Sequence, residues 1–209
     1  MEFSWLFIPL LVLAYLLGSI PTAVWMGKWL KGLDVRYHGS GNAGATNAMR
    51  VLGPRIGVVV LLLDAFKGLL AVSLSFLLTE AFGSVELFVM FQLALGAMAI
   101  TGHVFPVFAS FKGGKGIATL LGITLMIFPE AFLICLIVFL VIFLTTRFVS
   151  LGSISASLAL PVVVICITDD TILPKIIFAL AVAVFVPVIH KNNIRRLFQG
   201  KENRISFKR

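Results

Sequence analysis

The chain has 209 residues, of which 60% are hydrophobic and only 12% charged, with a formal charge of +8. A soluble domain is nearer half apolar and about a quarter charged. A mean hydropathy of +1.09 excludes a cytosolic domain, a disordered chain and a disulfide-rich secreted module, and leaves an integral membrane protein. The basic surplus points to anionic lipid, nucleic acid or phosphate-bearing ligands, and the positions of the charges decide among them.

A spanning helix needs roughly 20 mostly apolar residues, and such stretches fall at about 3–27, 56–78, 87–107, 116–128, 131–146, 153–168 and 171–189. The expected fold class is all-α: a polytopic membrane protein of seven transmembrane helices, with residues 1–209 as one domain. The fourth stretch is short, and Pro129-Glu130 reads as a tight turn into the fifth. Five spans with one or two re-entrant stretches are the alternative. The runs lack the period-2 alternation of a barrel, and the other solution that satisfies the backbone in lipid is the helix. The first stretch resembles a signal peptide, but its apolar run is too long and follows Glu2 with no small-residue cleavage site; it is expected to stay as a helix.

The cations sort by side. Lys28, Lys31, Arg36, Arg50 and Arg55 follow the first stretch, Lys112 and Lys115 the third, and Arg147 the fifth. Lys191, Arg195, Arg196, Lys201, Arg204, Lys208 and Arg209 form the tail. With seven spans all of these share one side, opposite Glu2, Glu80, Glu86, Glu130, Asp169 and Asp170, where Lys175 is the lone cation. The positive-inside rule then puts the N-terminus outside and the C-terminus in the cytoplasm. Much of the charge is thereby explained by topology and by attraction to anionic headgroups. Trp25 and Trp29 beside Lys28 and Lys31 read as an interfacial anchor, and Cys135 and Cys166 as inert thiols. Asp64 and Lys67 lie inside the second stretch three residues apart, so they share a helix face and are expected to pair, chiefly as a structural element.

Polar residues concentrate in the loops. His38-Gly39-Ser40-Gly41-Asn42-Ala43-Gly44-Ala45-Thr46-Asn47-Ala48-Met49-Arg50 contains a formal G-x-G-x-x-G, but a membrane helix stands where a dinucleotide site needs a strand. The physics of the pattern survives. Glycines let backbone N–H groups turn toward an anion, and Ser40, Asn42, Thr46 and Asn47 add neutral donors beside Arg50. The second loop, Phe111-Lys112-Gly113-Gly114-Lys115-Gly116-Ile117-Ala118-Thr119, looks like a degenerate P-loop in which Gly116 replaces the residue that would hold magnesium. Two lysines on a glycine turn that opens a helix suit a phosphate rather than a nucleotide–metal pair. Phe105, Phe108 and Phe111 are expected to line a membrane interface. Further on, Ser150 and Ser153 follow Arg147, with Ser153 a possible helix N-cap, and His190 and Asn193 stand where the last span meets the tail. These segments favour chemistry on an anionic substrate at the cytoplasmic face over passage across the membrane; the rival reading is a transporter of an organic phosphate or other anion.

Taken in order, Gly39-Ser40-Gly41-Asn42-Ala43-Gly44-Ala45-Thr46-Asn47 with Arg50, Gly102-His103 through Phe111-Lys112-Gly113-Gly114-Lys115-Gly116, Ser150 with Ser153, and His190 with Asn193 resemble the bacterial PlsY family of acyl-phosphate-dependent glycerol-3-phosphate acyltransferases. The likeness runs from Gly18-Ser19 through Asp64 and Lys67-Gly68 to Gly200 and Glu202, nearly the whole chain. It implies a seven-helix fold. It also implies transfer of a fatty acyl group from acyl phosphate to the sn-1 hydroxyl of glycerol 3-phosphate, giving lysophosphatidic acid and phosphate in phospholipid biosynthesis. By resemblance, Ser40 and Arg50 belong to an essential phosphate-binding loop, as do its donors Asn42, Thr46 and Asn47. Lys112, Gly113, Gly114, Lys115 and Gly116 are associated with glycerol 3-phosphate, Ser150 and Ser153 with substrate, and His190 and Asn193 with catalysis. The implied setting is the bacterial plasma membrane, with membrane lipid and the soluble enzyme that makes acyl phosphate as partners. No nucleic acid, metal or organic cofactor is implied.

An acyl phosphate is a mixed anhydride with an activated carbonyl and a competent leaving group, so no Ser-His-Asp triad is required. None is evident, and no G-x-S-x-G occurs. The residues five beyond the three histidines are Ala43, Phe108 and Arg195, so the H-x-x-x-x-D pattern of acyl-CoA-type acyltransferases is missing. Direct, single-displacement transfer is expected, with the proton going to His190 or to the leaving phosphate.

Overall fold

The structure is a computed structural model that describes residues 4–168 and 172–205. Glu2, Asp169, Asp170, Lys208 and Arg209, and the first residues of the first and seventh apolar stretches, lie outside the described residues. Among the described residues every regular element is a helix. The chain forms two compact units, Met1–Ile127 and Phe128–Arg209.

The first unit holds α1 (Phe7–Gly18), α2 (Thr22–Lys31), α3 (Ala45–Leu52), α4 (Pro54–Ser73), α5 (Val85–Val104) and α6 (Ile117–Ile127). Helix α1 packs on α5, and α4 packs on α6 and α3. Small residues make these approaches possible: a Cβ on Gly18 would overlap the Ala99 carbonyl, and one on Gly102 the Tyr15 carbonyl. In lipid, where there is little hydrophobic drive between helices, such backbone-to-backbone contact supplies the dispersion energy that holds them. The first apolar stretch is not one continuous helix. It breaks at Ser19-Ile20-Pro21, because Pro21 carries no N–H to continue the ladder, and resumes as α2. Beyond α4 the chain tightens into a 3-10 segment, Leu74–Ala81.

The second unit holds α7 (Pro129–Thr146), α8 (Val149–Cys166), α9 (Leu173–Ile189) and α10 (Lys191–Phe198), with α8 packed on both α7 and α9. Pro129 stands at the first turn of α7, where its missing N–H costs nothing, so the expected turn is a proline-initiated helix start. Ser153 lies inside α8, one turn past its start at Val149, and its Oγ donates back to the Val149 carbonyl at 2.9 Å. The N-cap expectation for Ser153 is thus corrected: Phe148 occupies the cap.

Both units turn large apolar side chains outward, Ile8 at 73% exposure and Val184 at 66% among them, as lipid contact requires. Among the described residues five helical stretches, α1 with α2 counted as one, are long and apolar enough to cross a membrane, or six if α9 and α10, bent by 60°, are one span. Helix α6, with 11 residues, is shorter than a bilayer crossing, which is where this count and the seven apolar stretches part.

Candidate functional site

In the first unit the loop before α3 stands on a small apolar core. Ala23, Val24, Val35, Ala43, Ala48, Leu52 and Val60 are buried together, fixing α2, the loop and α3 against α4. Gly39 and Gly41 have φ of +62° and +74°, left-handed conformations that a side chain would disfavour. Asn47 is 1% exposed and staples the loop from inside. Its Oδ1 accepts from the Ser40 N–H at 2.8 Å, and its Nδ2 donates to the carbonyls of Val35 and His38 at 2.8 and 3.1 Å. Of the residues read from sequence as donors, Asn47 therefore shapes the loop, while Ser40 and Arg50 lie at its exposed surface and Asn42 and Thr46 are half-buried.

The second loop folds back on the end of α5. Gly113 and Gly114 donate their N–H groups to the carbonyls of Val104 and His103 at 3.2 and 3.1 Å. No side chain fits at either glycine: a Cβ on Gly113 would overlap the His103 carbonyl, and one on Gly114 the His103 Nε2. Gly116, at φ +74°, then releases the chain into α6. Lys112 is exposed and Lys115 half-buried. The aromatic residues around this loop face outward, Phe105, Phe108 and Phe111 each being more than half exposed, and Trp25 contacts both Trp29 and Phe108.

Arg36 joins the two loops, a role its sequence position did not reveal. Its Nη2 meets Asp34 Oδ2 at 2.7 Å and its Nε meets Oδ1 at 3.0 Å, while its Nη1 donates to the Ala109 carbonyl at 2.7 Å and, more weakly, to that of Lys112 at 3.4 Å. The hydrogen bonds from Arg36 hold the Asp34 carboxyl below the usual carboxylate range, and the same pairing raises Arg36. The adjacent acidic and basic letters in D-V-R were the available signal, since residues two apart meet only where the chain turns.

In the second unit a carboxylate organises the polar residues. Glu202, its side chain 4% exposed, accepts at Oε1 from Ser150 Oγ at 2.8 Å and from Asn193 Nδ2 at 2.6 Å, and pairs at Oε2 with Arg196 Nε at 2.7 Å. Burial alone raises its pKa, but the bonds from Asn193, Arg196 and Ser150 outweigh that and lower it. Sequence reasoning noted Glu202 only in the resemblance; an acidic residue in an otherwise basic tail was its signal. His190 is 4% exposed where α9 ends, and its Nδ1 lies 2.9 Å from the Val186 carbonyl. A carbonyl only accepts, so Nδ1 carries the proton and the neutral ring has Nε2 as a lone-pair acceptor.

The first unit thus carries glycine turns with Lys and Arg on apolar helices, and the second a buried imidazole whose Nδ1 faces a carbonyl. The family described as glycerol-3-phosphate acyltransferase matches residues 8–200. The glycerol-3-phosphate acyltransferase of Fusobacterium nucleatum is 43% identical over 199 residues, covering 94% of this chain and 97% of its own. That of Geobacillus kaustophilus is 41% identical over 198 residues, with 95% of each chain covered. Crystal structures of PlsY, an integral membrane glycerol 3-phosphate acyltransferase, match at 36% identity. The glycerol 3-phosphate form gives a TM-score of 0.83 with 96% of each chain covered, and the lysophosphatidic acid form a TM-score of 0.81 with 96% of this chain and 95% of the other. The chain belongs to the glycerol-3-phosphate acyltransferase family.

Proposed function

We propose that the protein transfers a fatty acyl group from acyl phosphate to the sn-1 hydroxyl of glycerol 3-phosphate, releasing lysophosphatidic acid and phosphate. The observation that carries this reading is the pair of glycine-turned loops tied together by Arg36, which gathers phosphate-binding groups in one unit. The PlsY relatives crystallised in glycerol 3-phosphate and lysophosphatidic acid forms support the substrate and product. We place the protein in the bacterial plasma membrane with seven spans, the N-terminus outside, and the loops and the C-terminus in the cytoplasm. The charge asymmetry supports this orientation. The membrane lipid solvates the acyl chain, and a soluble enzyme that makes acyl phosphate supplies the donor.

Two phosphates must be held near one another, and their repulsion must be offset. Ser40 and Arg50 take the acyl phosphate, with Asn42, Thr46 and Asn47 shaping and lining that loop. Lys112, Lys115 and the N–H of Gly116 take glycerol 3-phosphate, with Gly113 and Gly114 folding the loop back on α5 beneath them. At an effective dielectric near 20, each charge contact at ~4 Å contributes about 4 kcal/mol of gross attraction before desolvation. The sn-1 oxygen attacks the acyl carbonyl carbon, the C–O bond to phosphate breaks, and the hydroxyl proton passes to His190 Nε2 or to the departing phosphate. Asn193, Ser150 and Ser153 supply neutral polar groups, with Glu202 orienting Asn193 and Ser150. Bringing the hydroxyl to the carbonyl adds several kcal/mol by proximity.

Purified protein supplied with glycerol 3-phosphate and either acyl phosphate, acyl-CoA or acyl carrier protein tests the donor. Lysophosphatidic acid and phosphate should form from acyl phosphate alone. Uptake of glycerol 3-phosphate into vesicles without acyl transfer would sink the reading and favour a transporter. His190→Ala separates the proton routes: near-normal kcat with a raised KM assigns the proton to phosphate.

A further inference from the structure

Beneath the Lys112–Gly116 loop, three ionisable side chains are buried in the first unit: Asp64 at 1% exposure, Lys67 at 5% and His103 at 6%. Asp64 Oδ1 accepts from Lys67 Nζ at 2.8 Å and from Thr22 Oγ1 at 2.9 Å, so the expected pair is present. Lys67 Nζ also donates to the Ile20 carbonyl, freed by the break between α1 and α2, at 2.9 Å. His103 Nδ1 stands 3.1 Å from Thr119 Oγ1 and 3.9 Å from Asp64 Oδ1.

A purely structural reading leaves two observations over. Asp64 Oδ2 and Ser19 Oγ are buried without a hydrogen-bond partner among the described residues, so this network is not the best way to hold helices together. Buried ion pairs can often be exchanged for apolar packing with no loss of stability. The network also has a direction. The carboxylate beside Nδ1 favours the tautomer protonated there, with Thr119 Oγ1 accepting, and Nε2 is left as a lone-pair acceptor. Nε2 lies against Gly114, where a Cβ would overlap it. A loop that carries two lysines thus has one neutral acceptor in its floor. A phosphate has no use for it; a hydroxyl does.

We propose that Asp64 and His103 form a relay that reads a hydroxyl of the polyol phosphate held by this loop: His103 Nε2 accepts the hydroxyl hydrogen bond, and Asp64 is the positioning residue that sets the ring's tautomer and orientation. The proposal rests on glycerol 3-phosphate being the substrate. Cations recognise the phosphate end of many metabolites, whereas a buried acceptor rejects a substrate lacking the matching hydroxyl, because the acceptor is then left unpaired.

The test compares glycerol 3-phosphate with 3-hydroxypropyl phosphate, which lacks the secondary hydroxyl but keeps the primary one, as substrates with acyl phosphate and as ligands by calorimetry without it. The full-length protein should prefer glycerol 3-phosphate by about tenfold or more. In His103→Asn, whose amide replaces Nδ1 but not Nε2, the preference should collapse to within about twofold, and in Asp64→Asn it should fall similarly. His103→Gln, with its amide near Nε2, should retain most of it. An unchanged preference in His103→Asn overturns the relay, as does a wild-type protein indifferent to the missing hydroxyl. Should Asp64→Asn fail to fold, the two His103 variants decide. If the wild-type protein transfers no acyl group to glycerol 3-phosphate, the proposed function falls and the relay with it; if it does and the ratios do not move, the relay alone falls.

Discussion

At the scale of single residues, Glu202 shows what a lone carboxylate does in a basic segment. It meets Ser150, Asn193 and Arg196 at once, and all three donors bind the ionised form more strongly than the neutral acid. Its folded-state pKa is depressed, so its contribution to stability is present above the carboxylate's unfolded value, near 4.3, and is lost as pH falls through the lower folded value. Thermal unfolding of the wild type in detergent should therefore show a fall in Tm with acidification across that window. Glu202→Gln should start lower and lose this part of the slope. An identical pH profile in the variant would refute the assignment. Asn47 makes a related point about reading sequence. Its type marked it as a donor, but whether an amide faces a ligand or its own backbone depends on where the chain turns, which Val35 and His38 decide through their carbonyls.

At the scale of elements, most of the helices were legible because a membrane demands long apolar runs, and α7 and α9 end at the residues where hydropathy stops. What hydropathy did not show was the break at Ser19-Ile20-Pro21 and the serine turned back on its own helix at Ser153. Both are backbone events inside apolar context, where composition carries little signal. The close helix pairs were equally hidden, since a glycine in an apolar run does not announce its neighbour. Gly68 sits so near the Thr119 carbonyl that a Cβ would overlap it, and Gly122 stands likewise against the Ala65 carbonyl. Gly68→Ala and Gly122→Ala should each cost about 1–3 kcal/mol through forced separation of α4 from α6. A lowered Tm for the purified variants checks this, and unchanged melting would mean the helices part freely. Because Thr119 also touches His103, Gly68→Ala should raise KM for glycerol 3-phosphate as well.

At the scale of the whole molecule, sequence alone reported a membrane protein and the resemblance reported its family; neither reported that loop geometry depends on Arg36. The charge arrangement still predicts sidedness. Single cysteines placed at Lys201 and at Glu86 in a cysteine-free background, probed in intact cells with an impermeant thiol reagent, should label at Glu86 and stay protected at Lys201. The reverse pattern would invert the topology. The ion pair inside α4 has a further consequence for how the chain enters a bilayer. A lone Asp or Lys at the centre of a spanning helix costs about 3 kcal/mol on insertion scales. Asp64 and Lys67 lie one turn apart on the same helix, so each is neutralised by a partner that emerges from the ribosome almost together with it. The second span can be handed to lipid as a finished unit, and its later contacts with Thr22 and His103 refine a charge already balanced at birth.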